Sequence, residues 1–275
     1  MGRFGIIEAK LFHPKLYLDA QIKPDIEENK LSSEKVWTYL VALKYANNQK
    51  ILSNMLSKRH ENLPSESKVW LEAYLYPTRM RKQERKCWKV RSDLCVGHLE
   101  IVSNRNAQLK SNGDWICIAE AKWFDDIHPN KRYPNIFQFS QIIEHAILMH
   151  NSLGQFPKRV YVTLITPKYF RDRVGKFSKR MYYEKYTRYN LDKESLVDDL
   201  KLCPLEFLHY DKETLFKRLN ALILNWVTFE ELLGLENLVS DNIPGKYRIN
   251  RESWEQIFEE IGELRMYEKI VENEL

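Results

Sequence analysis

The stretch WICIAEAKW, at residues 115–123, decides the fold. It is short, almost wholly apolar and preceded by the turn signal SNGD, a pattern typical of a strand buried on both faces of a sheet. The two-residue period of a strand places Glu120 and Lys122 on the same face as Ile116 and Ile118. Buried charges are costly unless they are paired or bound to a metal, so a functional site is predicted at the end of this strand.

The sequence on both sides of this strand predicts a mixed α/β fold. A helix over about 134–152 and a strand at 158–168 follow it, which is the order that connects two parallel, neighbouring strands. Serine-capped helix starts are predicted in LSSEKVW (31–37) and PSESKVW (64–70), the second opening a helix over 65–76. Further strands are expected at 88–91 and 94–102, and further helices near 192–202, 211–226 and 251–272.

Composition is that of an ordinary globular protein, with 44% hydrophobic and 29% charged residues in a chain of 275. No apolar run is long enough for a membrane span and the N-terminus lacks a signal peptide's apolar centre, so a cytoplasmic protein without membrane association is expected. The four cysteines lack zinc-site spacing and are expected to be reduced and mostly buried. The predicted organisation is an N-terminal strand and helical extension (1–62), a core (63–190) and a mainly helical region packed on it (191–275).

Asp93, in VRSDLCVG, begins a predicted strand ahead of Glu120. An Asp and a Glu from adjacent strands can bind Mg²⁺ or Mn²⁺ through oxygen ligands and leave positions for water and a substrate phosphate. Lys122 can then orient or help deprotonate the water and stabilise the oxyanion. The alternatives are a cross-strand ion pair of Glu120 with Lys122 at a sheet edge, and a turn carboxylate at Asp93. A metal site at this position therefore requires that Asp93 faces Glu120.

Ser92-Asp93 followed by Glu120-Ala121-Lys122 resembles the PD-(D/E)xK, or restriction-endonuclease-like, nuclease superfamily, with Ser in place of Pro. The resemblance covers about 65–168. It implies a restriction-endonuclease-like core of a mixed central β-sheet flanked by helices, with additional N- and C-terminal helices. It also implies metal-dependent hydrolysis of phosphodiester bonds with Mg²⁺ or Mn²⁺, in a restriction, mobile-element, defence or repair role. The triplet Glu-Ala-Lys also occurs at residues 8–10, but the few residues before it contain no Asp for the first motif element.

The resemblance also implies two further site residues. A Glu on the helix before the first element often joins the metal site, a role that Glu66 fits better than Glu72. A Gln on the helix after the second element approaches the site or the nucleic acid, a role that Gln141 fits better than Gln138. The alternatives are an acid that stabilises the first helical turn and a polar residue at the edge of the core.

Positive charge is concentrated in two segments. Residues 79–91 hold seven Lys and Arg against one acid, and residues 168–188 hold eight against two, interleaved with tyrosines and phenylalanines. Cations that contact phosphates beside aromatic rings that stack on bases suit nucleic acid, single strands included, although a solvated hairpin and a solvated lid are the alternatives. The predicted contacts are Arg81, Lys82, Arg85, Lys86, Lys89, Lys176, Lys179, Arg180 and Tyr182.

Three functions are consistent with these patterns. The first is a metal-dependent nuclease, with DNA as the expected substrate and a homodimer or partner protein as possible assemblies. The second is a non-catalytic nucleic-acid-binding or assembly subunit with the same fold. The third is a protein that binds an acidic or polyanionic partner through the basic segments. DNA versus RNA, and endonuclease versus exonuclease action, stay open.

Overall fold

A computed structural model describes residues 34–45, 48–62, 69–81, 86–87, 89–102, 106–123, 136–172, 181–208, 210–240, 248–249 and 256. Its strands are β1 (Trp70–Leu71), β2 (Tyr74–Leu75), β3 (Arg79–Arg81), β4 (Lys86–Cys87), β5 (Leu94–Gly97), β6 (Leu99–Ile101), β7 (Asn106–Leu109), β8 (Trp115–Ala121), β9 (Arg159–Thr166), β10 (Glu206–Phe207), β11 (Leu222–Thr228), β12 (Val239–Ser240) and β13 (Arg248–Ile249). Its α-helices are α1 (Glu34–Lys44), α2 (Gln49–Ser57), α3 (Gln138–Ile147), α4 (Lys168–Asp172), α5 (Met181–Leu191), α6 (Glu194–Lys201), α7 (Lys212–Arg218) and α8 (Phe229–Leu233), with a 3-10 turn at Leu219–Ala221.

The centre of the molecule is a mixed five-stranded sheet in the order β1-β5-β8-β9-β11. Strands β1, β5 and β8 are successively antiparallel, whereas β8, β9 and β11 are parallel. Helix α3 lies between β8 and β9 in the chain, so the predicted strand, helix, strand unit with parallel neighbours is confirmed. The mixed α/β class, a mixed central sheet flanked by helices, is also confirmed.

Both faces of β8 are buried, as its apolar sequence predicts. Ile116 and Ile118 belong to one hydrophobic core, in which they pack with residues of α3, α5 and α6. Trp115, Cys117 and Ala119 belong to a second core on the other face, with residues of α1, α2 and α8. The sheet is therefore the middle layer between two layers of helices.

Shorter strands form three smaller sheets. Their orders are β2-β7-β6, β10-β3-β4 and β12-β13. Cys95, Cys117 and Cys203 are free and buried, as the scattered spacing predicts. Among the described residues, none of the helices has the length and apolar character needed to cross a bilayer.

The predicted helix over 65–76 is wrong for its described part. Residues 69–75 contain β1 and β2, and Trp70 and Leu71 pair with Cys95 and Leu94 of β5. The helical spacing of Val69, Trp70 and Ala73 was misleading, because Leu71 and Leu75 between and beyond them are buried as well. A short, continuous run of buried residues is what a two-sided strand requires. The predicted strand at 94–102 is interrupted at His98, between β5 and β6.

In its described part, the region 191–275 is less helical than predicted. Helix α6 lies within the expected range, but the expected helix over 211–226 ends at Arg218 in α7, and Leu222–Thr228 is an outer strand of the central sheet. The run LILNWVT is rich in β-branched and aromatic residues, which fit a pleated, buried surface better than a helix. Most of the expected helix over 251–272 lies outside the described residues.

Candidate functional site

Asp93 faces the end of β8. It directly precedes β5, whose Leu94 pairs with Ala119 of the antiparallel β8. The Asp93 carboxylate accepts a hydrogen bond, through Oδ2, from the backbone N–H of Ala121 at 2.7 Å. Asp93 is therefore held against the peptide that lies between Glu120 and Lys122.

Glu120 is a buried carboxylate with few partners. Its residue is only 1% exposed, and its Oε2 accepts no hydrogen bond from the described residues. The Lys122 ammonium nevertheless lies 2.8 Å from Oε1 of Glu120, at ion-pair distance. Burying a carboxylate that accepts few hydrogen bonds costs free energy. Packing alone therefore does not explain why Glu120 occupies this position.

Lys122 follows the last residue of β8 and is buried with Glu120. Its backbone N–H donates to the carbonyl of Ile165 at 2.8 Å, which keeps it beside the end of β9. Its ammonium donates to its neighbour's carbonyl, Ala121 O, at 2.9 Å. The predicted residues Asp93, Glu120 and Lys122 are thus brought together at one end of the sheet.

Glu34 is a fourth member of this cluster, and no sequence pattern indicates it. It is the first residue of α1, and its Oε2 accepts a hydrogen bond from the Lys122 ammonium at 3.3 Å. Its Oε1 accepts one from the backbone N–H of Trp123 at 3.4 Å. The Trp123 ring stacks on Trp37 of α1 with ring centroids 4.5 Å apart, which fixes the start of this helix over the strand end.

The protonation of the cluster follows from three carboxylates around one ammonium. Burial, Asp93 and Glu34 hold the pKa of Glu120 well above its usual range against the opposing effect of Lys122. Burial also raises the pKa of Glu34, and Asp93 adds to the rise. Burial alone would lower the pKa of Lys122, but Glu120, Asp93 and Glu34 together raise it above its usual value. Lysine is therefore charged, and the carboxylates repel one another.

Full ionisation leaves the cluster with a net charge of −2, from three carboxylates and one ammonium. A buried double negative charge is unfavourable unless a cation compensates it. As the side chains stand, no three His, Cys, Asp or Glu side chains within the described ranges form a group that could hold one metal ion. The Lys122 ammonium contacts both Glu120 and Glu34 instead.

The other predicted catalytic residues have separate outcomes. Glu66 lies outside the described residues. Glu72, its alternative, is buried beside Asp93 but forms ion pairs with Arg91 and Lys35. Gln141 is buried on α3, the helix that packs on the Ile116 and Ile118 face of β8, and its Nε2 has no hydrogen-bond partner among the described residues.

The predicted nucleic-acid contacts are only partly described. Lys82, Arg85, Lys176, Lys179 and Arg180 lie outside the described residues, and of Arg81 and Lys86 only the backbone is described. Lys89 is exposed, with its ammonium 5.8 Å from the ring centre of Tyr74.

The predicted contact of Tyr182 with nucleic acid is wrong, because this residue does not lie at the surface. Its side chain is fully buried and its ring packs edge-on against Trp226 of β11, with centroids 5.8 Å apart. Tyr189 and Phe170 are also buried in the same core. The aromatic residues of this segment therefore include core residues of α4 and α5, and Tyr182 is not placed to stack on a base.

Comparisons with protein-family models, with curated proteins and with solved structures found no match.

Proposed function

We propose that this chain is a metal-dependent nuclease of the PD-(D/E)xK kind, with a restriction-endonuclease-like core. One observation carries the proposal: Asp93 is hydrogen-bonded to the peptide between Glu120 and Lys122, the three residues that the motif requires in one place. The mixed sheet, with β5 antiparallel and β9 parallel to the strand that carries Glu120, supports the same core.

Asp93 and Glu120 supply two carboxylates, the oxygen donors that a hard divalent cation prefers, and leave positions for water and phosphate oxygens. Glu120 offers two buried oxygens, of which Oε1 contacts the Lys122 ammonium and Oε2 has no hydrogen-bond donor among the described residues. Asp93 lies beside it, and the cluster carries two excess negative charges when ionised. Asp93 and Glu120 would hold the cation, and Glu34 would supply a carboxylate from a preceding helix, the role that the resemblance implies for Glu66. When bound, Mg²⁺ or Mn²⁺ would lower the pKa of a water and offset negative charge on the phosphate.

The roles of the side chains follow from their charges. Lys122, whose pKa is raised, stays protonated, so it donates hydrogen bonds to the water or the phosphate oxygens and does not act as the base. Glu34 has a side chain 25% exposed and a raised pKa, which suit a proton acceptor that water can reach. In the hydrolysis, the water oxygen bonds to phosphorus and its proton passes to Glu34. The bond from phosphorus to the leaving oxygen breaks, and that oxygen keeps the electron pair and takes up a proton from solvent.

The proposal is tested by cleavage of supercoiled plasmid and single-stranded DNA with Mg²⁺ or Mn²⁺. The wild-type chain is expected to cut at least one of them, and Glu120→Gln to lose the activity. Glu100→Gln is the matched control, since Glu100 accepts a hydrogen bond from Gln108 on a small separate sheet. Salt-sensitive DNA binding by a wild-type chain that never cleaves would instead identify a non-catalytic nucleic-acid-binding subunit.

Metal affinity is expected to rise with pH. The pKa values of Glu120 and Glu34 are raised, so protons compete with a cation for these carboxylates in the range between the ordinary and the raised pKa. In that range affinity should rise by about tenfold per pH unit for each proton released, and become flat above it. The measurement is the Mg²⁺-induced rise in unfolding temperature across pH.

Glu120→Gln is the control variant for this pH dependence of metal affinity. It removes one of the carboxylates at which a proton competes with the metal. The metal-free wild-type chain should also lose stability as pH rises through the same range, because its folded state binds more protons than its unfolded state. A Mg²⁺ affinity that does not change with pH, or that Glu120→Gln leaves intact, would contradict metal binding at these carboxylates.

A further inference from the structure

Glu72 occupies an unusual position beside the candidate site. Its φ is +49°, in the left-handed region that non-glycine residues rarely adopt, and its side chain is only 4% exposed. The Glu72 N–H donates to the carbonyl of Asp93 at 3.0 Å, and the carbonyl of Ala73 accepts from the Ser92 N–H at 3.0 Å. The conformation is thus imposed by contacts with the two residues that form the first motif element.

The buried Glu72 carboxylate holds two cationic side chains at the surface. Arg91 Nη1 lies 3.1 Å from Oε2, and Lys35 Nζ lies 4.0 Å from Oε1. The two cations are far more exposed than their partner, with side chains 42% and 38% exposed respectively. Unlike a pair of flexible surface side chains, this arrangement has a fixed carboxylate at its centre.

The residues that carry these two cations lie close in the chain to members of the carboxylate cluster, and Glu72 donates its N–H to the carbonyl of Asp93. Lys35 follows Glu34 in α1, and Arg91 lies two residues before Asp93. One carboxylate, that of Glu72, thus contacts two cations close to a cluster that carries −2 when ionised. A phosphodiester backbone that approaches the cluster is repelled by it, so cations beside it are needed to bring the backbone in.

We propose that Arg91 and Lys35 bind backbone phosphates of the nucleic acid beside the scissile bond, and that Glu72 is the positioning residue that holds both cations. The inference rests on the proposed function, because it assigns the substrate-binding part of the same site. Guanidinium groups bind phosphate oxygens through two parallel hydrogen bonds, and ammonium groups bind them as point charges. A buried carboxylate that orders both side chains beforehand reduces the entropy lost when they bind.

The test is binding of a short fluorescent DNA duplex, followed by anisotropy in EDTA between about 50 and 200 mM salt. The Arg91→Ala, Lys35→Ala double variant should lower the slope of log affinity against log salt by about 1.8, since each phosphate contact contributes about 0.9. The control is the Lys158→Ala, Lys217→Ala double variant, which removes the same charge from exposed side chains elsewhere. An unchanged slope in the first variant, or an equal change in the control, overturns the proposal.

The role of Glu72 has a test in which charge and position predict opposite signs. Glu72→Gln removes a negative charge, so general electrostatics predicts tighter DNA binding, whereas loss of positioning predicts binding weaker by about fivefold. Equal or tighter binding overturns the positioning role. Should Glu72→Gln fail to fold, Arg91→Lys keeps the charge but lacks the planar fork, and should weaken binding at an unchanged salt slope. Unchanged DNA affinity of the Arg91→Lys variant would also overturn the positioning role of Glu72.

Failure of this inference is distinguishable from failure of the proposed function, because binding is measured without divalent metal. A chain that cleaves DNA but keeps its salt slope in the Arg91→Ala, Lys35→Ala variant is a nuclease that holds phosphates elsewhere. A chain whose slope falls in that variant but which never cleaves supports the phosphate contacts and rejects catalysis. A wild-type chain that binds no DNA at low salt in EDTA overturns this inference, whereas the proposed function is decided separately by the cleavage assay with Mg²⁺ or Mn²⁺.

Discussion

Replacement of Lys122 by methionine is expected to lower the rate of metal-dependent DNA cleavage by about 10²–10³-fold, the usual effect of removing one preorganised donor from a charged transition state. Methionine retains much of the side chain's apolar volume but removes the ammonium that contacts Glu120 at 2.8 Å and Glu34 at 3.3 Å. The measurement is the single-turnover rate at saturating DNA and metal, which separates chemistry from binding.

Lys185→Met is a matched control for this variant. Lys185 is also a buried lysine in an ion pair, 2.6 Å from Asp199, but it belongs to α5 and its partner to α6. It should lose stability while the folded fraction keeps its cleavage rate. Undiminished cleavage by Lys122→Met would remove Lys122 from the catalytic residues, and an equal loss in both variants would show that only the fold had been tested.

The loss of the ammonium should also change the titration of the site. Without Lys122 the three carboxylates lose the one positive charge that lowers the pKa of Glu120 and Glu34. Their pKa values should therefore rise further, and the pH range over which protons compete with metal should move upward. A structural ion pair without metal chemistry predicts no such movement of a metal-affinity profile.

The central strand could be predicted from sequence because its signal is local. A strand buried on both faces needs a continuous apolar run, and WICIAEA supplies one whose only charged residue is Glu120. Asp93 was also predictable, since an adjacent antiparallel strand places a carboxylate close to a charged strand end. The family resemblance added the order of these residues, and the Asp93 hydrogen bond to Ala121 supplies the geometry that order alone leaves open.

Glu34 was not predictable because its contact is set by packing between distant segments. The Ser-capped start in LSSEKVW correctly predicts the helix, but nothing in that stretch indicates what the helix packs on. The stack of Trp37 on Trp123 places the helix start over Lys122. The family resemblance implies an extra carboxylate on the helix just before Asp93, which is the predicted helix over 65–76. The described part of that range contains strands.

The basic segments show why charge counts misjudge individual residues. Arg79 was counted in a solvated or nucleic-acid-binding run, yet it is buried and its guanidinium lies 3.9 Å from the ring centre of Phe207. Lys185 was counted in the second segment and is buried beside Asp199. A local count of charges does not contain the positions of the acids, which come from other parts of the chain.

Breaking the Arg79–Glu144 pair is expected to lower the free energy of unfolding by about 3–5 kcal/mol, because Glu144→Ala leaves a guanidinium buried without its counter-charge. Arg79 donates to Glu144 from Nε at 2.9 Å and from Nη2 at 2.8 Å, and Thr78 donates to the same carboxylate at 2.8 Å. Both charged side chains are almost wholly buried. Urea unfolding, with the slope checked for two-state behaviour, measures the effect.

Two controls separate burial from charge in this experiment. Lys201→Ala breaks the exposed ion pair with Asp198 and should leave the free energy of unfolding almost unchanged. A double variant with methionine at both Arg79 and Glu144 removes the two charges together and should recover much of the loss, since an apolar pair of similar volume needs no counter-charge. A double variant as unstable as Glu144→Ala would show instead that the hydrogen bonds from Arg79 to the carbonyls of Leu205 and Leu200, which tie β3 to the end of α6 and to β10, are what the fold depends on.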